Sequence, residues 1–210
     1  METLSLFPPE ASGEWFDIPD GRLYWAPAFF TAAQAQTYFE QLRKTLDWRQ
    51  EQIRIFGRNV WQPRLQAWCG EASYTYSGLT LSPAPWTPAL LSIKTACEAV
   101  CDQQFNSVLA NLYRDGQDSM GWHQDNEPEL GPQPVIASVS LGETRRFVLK
   151  HLHSKQKITF DLTSGSLLIM AGTTQQYWTH AIPKSRQPLS ARMNLTYRTI
   201  YPAAGAGAGA

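Results

Sequence analysis

The chain carries four histidines, His123, His151, His153 and His180. In His123-Gln124-Asp125 an imidazole and a carboxylate stand two residues apart, so both project from one face of an extended segment. Such a pair is a bidentate clip for a divalent metal. His180, in the segment Trp178-Thr179-His180-Ala181, is available to close a third corner. Two His and one carboxylate on one side of a metal leave its other positions open, which Fe(II) needs to bind a co-substrate and O2. A structural His beside a turn Asp gives the same short pattern, and on spacing alone both readings stay open. His151 and His153 form another same-face pair in Lys150-His151-Leu152-His153, close to a strand end in a basic stretch. Surface imidazoles or a weak phosphate contact are expected there rather than metal ligands.

A second constellation lies at residues 190–200. On an extended strand Met193, Leu195, Tyr197 and Thr199 point one way, and Arg192, Asn194, Thr196 and Arg198 the other. Two arginines and an amide on one face are costly inside a protein unless an anion meets them. A small dicarboxylate fits, because a guanidinium fork grips a carboxylate with two hydrogen bonds. The competing reading turns this face to water, and the period does not separate the two. Asn111 and Tyr113 share a face of their own strand and could reach the same ligand.

The elements that must position these residues are legible in part. Residues 1–30, rich in Pro, Gly and aromatics, read as an N-terminal arm with short extended pieces. Thr31-Ala-Ala-Gln34 is a capping box, followed by Tyr38, Phe39, Leu42 and Leu46 at helical spacing. Residues 53–82 read as β-rich, punctuated by Gly57, Gly70 and Gly78. Thr87-Pro88 opens a second helix with an apolar face of Leu90, Ile93, Cys97, Val100 and Cys101, so that the two cysteines pack rather than bind metal. Strands are expected at 108–113, 135–141, 145–151, 157–162, 166–171, 177–182 and 190–200. Short strands after two helices suggest an antiparallel sandwich or jelly roll buttressed by the helices, in one domain over 31–201 with its β core at 107–201. The Ala/Gly run at 202–210 is of low complexity and is left out of the fold.

Composition narrows the setting. The 210 residues are 43% apolar and 17% charged, with 18 Lys+Arg against 18 Asp+Glu, enough for a packed core and too few charges for charge-driven disorder. No apolar run is long enough to span a bilayer, and the first residues lack the pattern of a secretory signal. Three cysteines make no disulfide framework and fit a reducing, intracellular setting: cytoplasm or nucleoid, or a nucleus. The charge is uneven. Residues 1–53 hold eight acids against four bases, whereas 145–198 hold nine bases and the single acid Asp161. That basic half permits a polyanionic partner without requiring one.

Taken together, Asn111-Leu-Tyr113, His123-Gln-Asp125, His180 and Arg192-Met-Asn194-Leu-Thr196-Tyr-Arg198 resemble the signature of the AlkB-type dioxygenases, over about residues 50–201. The resemblance implies a mainly β double-stranded β-helix, the jelly-roll fold, buttressed by N-terminal helices. It implies His123, Asp125 and His180 as Fe(II) ligands and assigns Asn111, Tyr113, Arg192, Asn194, Thr196 and Arg198 to the 2-oxoglutarate site, with Arg192 on the distal carboxylate. The implied reaction is oxidative dealkylation of bases in DNA. O2 and 2-oxoglutarate are consumed, succinate and CO2 leave, and the hydroxylated N-alkyl carbon departs as an aldehyde.

The same resemblance extends to the substrate. Tyr74-Thr75-Tyr76 resembles the substrate lid of the eukaryotic DNA-repair members, with Tyr76 placed to stack a flipped base and Tyr74 to line the strand path. Glu127 matches an acidic position that contacts the exocyclic amine of the base, beside Asn126. Ile55-Phe56-Gly57-Arg58 resembles an intercalating finger, in which Phe56 fills the gap left by the flipped base; a Phe tucked against the sheet is the alternative. Arg64 is expected to touch phosphate or the lid. The expected partner is alkylated DNA, engaged by a monomer without a membrane. Alternatives on the same scaffold are an RNA demethylase, an oxygenase acting on a protein or small molecule, and a binding module without catalysis, which the intact His123, Asp125, His180 and strand arginines oppose.

Overall fold

The computed structural model describes residues 13–55, 57–71, 74–76, 79–81 and 83–201. In chain order these form β1 (Glu14–Ile18), β2 (Gly21–Ala26), α1 (Ala32–Thr45), β3 (Gln52–Ile55), β4 (Arg58–Trp61), β5 (Leu65–Gly70), β6 (Tyr74–Tyr76) and β7 (Leu79–Leu81). Next come α2 (Pro88–Cys101), β8 (Ser107–Tyr113), β9 (Met120–His123), β10 (Ile136–Gly142), β11 (Arg145–His151) and β12 (Lys157–Leu162). Then follow β13 (Ser166–Ala171), α3 (Thr174–Tyr177), β14 (Trp178–Ile182) and β15 (Arg192–Arg198).

Both long helices start where their caps require. The Thr31 hydroxyl accepts the Gln34 backbone N–H while the Gln34 side chain accepts that of Thr31, closing the capping box of α1. At α2 the Thr87 hydroxyl accepts the Leu90 N–H, and Pro88 occupies the first turn, where no N–H is needed.

The strands make two main antiparallel sheets. The larger runs β1-β2-β13-β10-β15-β8-β5 and the smaller β12-β11-β14-β9. One core lies between the larger sheet and the helices: Leu42, Leu90, Ile93 and Cys97 meet Val139, Leu141, Met193, Leu195 and Tyr197. The other lies between the sheets, where Leu23, Ile136 and Met170 meet Phe147, Leu149 and Trp178. The result is three layers: helices, larger sheet, smaller sheet. Covered on both faces, β8 and β15 are buried at every position. This is the jelly-roll arrangement expected, and it settles the polarity of β15. Its apolar face takes the helices, so its polar face turns towards the second sheet and not to water. Among the described residues no helix is long and apolar enough to cross a membrane.

Two expectations are corrected. Residues 14–26, read as part of an arm outside the domain, form the hairpin β1–β2, and β2 pairs with β13 from Leu167↔Ala26 to Ala171↔Arg22. The Pro19 and Gly21 that suggest irregularity flank its turn, where Asp20 takes a positive φ of 52°. The β-rich stretch at 53–82 is also not one unit. It comprises the hairpins β3–β4 and β6–β7, while β5 between them joins the larger sheet beside β8.

Candidate active site

His123 ends β9 and His180 lies mid-way along β14, directly opposite it in the ladder. Their rings are 4.2 Å apart between centroids. Asp125 follows β9 by two residues, and its Oδ2 lies 3.9 Å from His180 Nε2. One ligand atom from each of the three residues falls within 4.8 Å of the others, a spacing that one metal ion can bridge. His123 Nδ1 pairs with the Gly121 carbonyl at 2.9 Å, which places the proton on Nδ1 and frees Nε2 as a ligand atom. Burial, with a smaller contribution from nearby His123, lowers the His180 imidazole to about 3; His123 is lowered by burial too. Both rings are therefore neutral lone-pair donors at pH 7. Burial alone would raise the Asp125 carboxyl, but Arg198, His180 and His123 outweigh it and hold it below the usual range.

Asp125 is held at its carboxylate and at its backbone. Arg198 Nη2 donates to Asp125 Oδ1 at 2.9 Å, and the Asp125 backbone N–H donates to Gln175 Oε1 at 2.9 Å. Gln175, 1% exposed, belongs to the single-turn helix α3, which leads into β14. Sequence reasoning missed it, and a four-residue helix of polar residues offers no periodicity by which to find it.

Arg192, 1% exposed, is the anomaly of the site. Its Nη2 donates to Ser140 Oγ at 2.8 Å, and its guanidinium lies 5.2 Å from the Tyr113 ring. Among the described residues Nε and Nη1 have no hydrogen-bond partner and no carboxylate pairs with the group, although the Tyr113 side chain favours its charge. Burial pushes this guanidinium down to about 10. A buried cation with two unsatisfied donors is suited to receive an anion. The other residues of the polar stripe are tied into the wall. Asn194 donates to Ser138 Oγ and the Val139 carbonyl and accepts from Thr196 Oγ1. Asn111 Oδ1 accepts from Arg64 Nε at 2.7 Å and Gln66 Nε2 at 3.2 Å.

One cleft is lined by His123, Asp125, His180, Asn111, Tyr113, Arg192, Asn194, Thr196, Arg198 and Arg64 together. The three candidate metal ligands and the Arg192 guanidinium thus share a wall, and the unsatisfied donors and available imidazole nitrogens fit a metal with a dicarboxylate beside it. Arg64, expected as a phosphate or lid contact, is only 3% exposed and braces Asn111, so it belongs to the cleft and not to an outer phosphate surface. Gly57 and Arg58 lie exposed on the β3–β4 hairpin, and Phe56 falls outside the described residues. Tyr74, Thr75 and Tyr76 form β6, described in its backbone. Asn126 is exposed, and half-buried Glu127 has one buried oxygen, Oε2, without a hydrogen-bond partner. His151, expected at the surface, is instead buried and binds Asp20 and Ser154 in a turn outside the cleft lining, as a structural imidazole does, while His153 is exposed.

A family model described as the 2OG-Fe(II) oxygenase superfamily matches residues 22–198. Alpha-ketoglutarate-dependent dioxygenase alkB homolog 3 of Bos taurus is 41% identical over 191 residues, covering 86% of this chain and 67% of the relative. DNA oxidative demethylase ALKBH2 of Homo sapiens is 41% identical over 184 residues, covering 81% of this chain and 70% of the relative. The chain spans about two-thirds of the length of the alkB homolog 3 relatives it matches, from 63% to 67%. In fold, the solved structure of OsALKBH1 superposes with a TM-score of 0.58 at 17% identity, over 89% of this chain and 100% of that one. The signature residues, the shared cleft and these likenesses converge: the chain belongs to the 2OG-Fe(II) oxygenase superfamily, in its AlkB-type branch.

Proposed function

We propose that this protein removes alkyl groups from the bases of DNA by oxidation, with His123, Asp125 and His180 holding Fe(II) and Arg192 holding the distal carboxylate of 2-oxoglutarate. The observation that carries the reading is the convergence in one cleft of the three ligand residues and a buried guanidinium with two free donors. Bound Fe(II) and 2-oxoglutarate supply the hydroxylation of the N-alkyl carbon by O2, with release of succinate and CO2; the carbon then leaves as an aldehyde.

The chain's own residues bind and orient. His123 is fixed in tautomer by Gly121, and Asp125 is fixed in rotamer and charge by Arg198 and in its backbone by Gln175. Tyr113 and Ser140 hold the Arg192 fork towards the cleft. Phe147 packs 5.3 Å from the His180 ring and keeps that wall apolar. Glu127 Oε2, buried and unpartnered, is an acceptor for the exocyclic amine of a flipped base. Next to His123, Trp122 is half-exposed with Lys150 Nζ 5.8 Å from its ring, a base-stacking platform with a cation of the kind that single strands bind. Relatives at about 40% identity are named as DNA oxidative demethylases, which favours DNA over RNA as the substrate.

The test is product analysis with Fe(II) and 2-oxoglutarate on oligonucleotides carrying one N-methylated base, as single-stranded DNA, duplex DNA and RNA of one sequence. Demethylation of DNA with matching succinate formation is expected. Methylated DNA left intact while 2-oxoglutarate turns over would overturn the substrate assignment, and demethylation of the RNA alone would transfer it to RNA.

A further inference from the structure

A second buried cation beside the Tyr113 ring lies outside the cleft wall and belongs to none of the signature motifs. Arg145 opens β11 and is 2% exposed. Its guanidinium carbon is 5.6 Å from the Tyr113 ring, the same ring that Arg192 approaches to 5.2 Å. No carboxylate pairs with Arg145 among the described residues; it donates instead to three backbone carbonyls. Nη1 reaches Asp115 O at 3.1 Å, and Nη2 reaches Asp118 O at 2.9 Å and Pro183 O at 2.8 Å.

Those carbonyls have a meaning in the topology. Asp115 and Asp118 lie in the loop from β8, which ends at Tyr113, to β9, which ends at His123. Pro183 follows immediately on β14, which carries His180. One side chain therefore ties together the ends of the three strands that bring the anion site and the metal clip into register. Carbonyl acceptors, unlike a carboxylate partner, leave its charge unpaired, and although Asp118, Asp115 and Glu143 lie near enough to offset part of it, the Tyr113 ring lies beside two buried guanidiniums.

We propose that Arg145 is a positioning residue for the co-substrate: it fixes Tyr113 against Arg192 and adds a second buried positive charge that selects a dicarboxylate. This rests on the reading of Arg192 as the seat of the distal carboxylate. An opposite charge brought to this corner gains from both guanidiniums, because a low-dielectric interior screens the more distant one weakly. A 2-oxo acid without the second carboxylate has no charge to place there and does not feel Arg145.

The experiment titrates 2-oxoglutarate, and separately 2-oxobutanoate, into the full chain loaded with Mn(II), by calorimetry, for the parent, Arg145→Met and Arg145→Lys. Arg145→Met is expected to weaken 2-oxoglutarate by about tenfold, the order of one partly screened buried charge, with 2-oxobutanoate and Mn(II) affinities nearly unchanged. Arg145→Lys is expected to recover most of the loss, since it keeps the charge. Equal weakening of both acids together with the metal would mean that Arg145 only braces the loops, and would overturn the proposal, as would unchanged 2-oxoglutarate affinity. Should Arg145→Met fail to fold, Arg145→Lys decides: a loss for 2-oxoglutarate no greater than for 2-oxobutanoate is expected, and a strong selective loss despite the retained charge overturns the charge argument. If the parent itself binds no 2-oxoglutarate, the assignment of the site fails rather than this inference.

Discussion

Each proposed ligand residue is suited to a metal by its surroundings. His180 is neutral because burial, then His123, lowers its imidazole to about 3, while Asp125 stays charged because Arg198 outweighs its burial. A cation entering the cleft meets two lone pairs and one negative charge without displacing protons at pH 7. His180→Ala removes one corner, and we expect no detectable demethylation from a protein with an unchanged circular-dichroism spectrum; retained 2-oxoglutarate-dependent activity at saturating Fe(II) would refute the ligand assignment. The anion corner makes a separate prediction. Arg192→Lys keeps the charge and loses the planar fork. A hydrogen bond to a charged group contributes about 1.5–3 kcal/mol, so the 2-oxoglutarate requirement should rise by about tenfold or more. An unchanged apparent affinity would mean that the free donors of Arg192 serve some other group. At this scale the sequence was informative, since the His-x-Asp spacing and the alternation of 192–198 pick out residues that the structure gathers in one cleft. It could not show that Arg198 is the partner of Asp125, because that contact joins positions 73 apart.

The elements explain what the residue pattern leaves out. Strand β15 was legible because its alternation is strict, and α1 and α2 because their caps and apolar stripes agree. The hairpin β1–β2 was not, for its evidence is a partner strand, β13, that lies about 140 residues further along. Helix α3 is too short to show a period, yet Gln175 on it holds the backbone of Asp125. Truncating it in Gln175→Ala leaves that buried N–H without an acceptor, and we expect a 10–100-fold loss of metal affinity or activity, roughly the range seen when a group supporting a metal ligand is removed. Metal titration of the variant checks it, and an unaltered affinity would show that Arg198 alone suffices. The β3–β4 hairpin carries the prediction for duplex access. Phe56 stands in sequence at its turn, next to Gly57 with a φ of 77° and exposed Arg58. A wedge recovers unstacking cost only where a stack has been vacated. Phe56→Ala should therefore reduce activity on a methylated duplex far more than on the same lesion in a single strand; equal losses would make Phe56 a packing residue.

On the scale of the whole molecule, the larger sheet is wrapped on both faces, and the second face is not apolar throughout. Between the sheets, the hydrophobic contacts of Leu23, Phe147, Leu149 and Trp178 give way to a polar cavity in which Arg192 is buried without a counter-charge. A protein tolerates such a defect only where a ligand completes it, because a buried unpaired cation costs several kcal/mol. The ligand-free fold thus holds a destabilised region at its centre, and occupancy should be visible in global stability. A ligand that binds only the folded state at 100 times its dissociation constant adds about 2.7 kcal/mol. For a chain of this size each kcal/mol moves the Tm by about 2–4 °C, so Mn(II) with 2-oxoglutarate should raise it by about 5–10 °C. The metal and the dicarboxylate should each add less alone than together, since they share a wall of the cleft. Removing the metal with a chelator should lower the Tm to the value that 2-oxoglutarate alone gives. Arg192→Lys separates the contributions: its response to the metal should persist while most of the further rise from 2-oxoglutarate disappears. A 2-oxoglutarate response undiminished in Arg192→Lys would place the dicarboxylate elsewhere in the cleft, and the uncompensated guanidinium would then need a different anion.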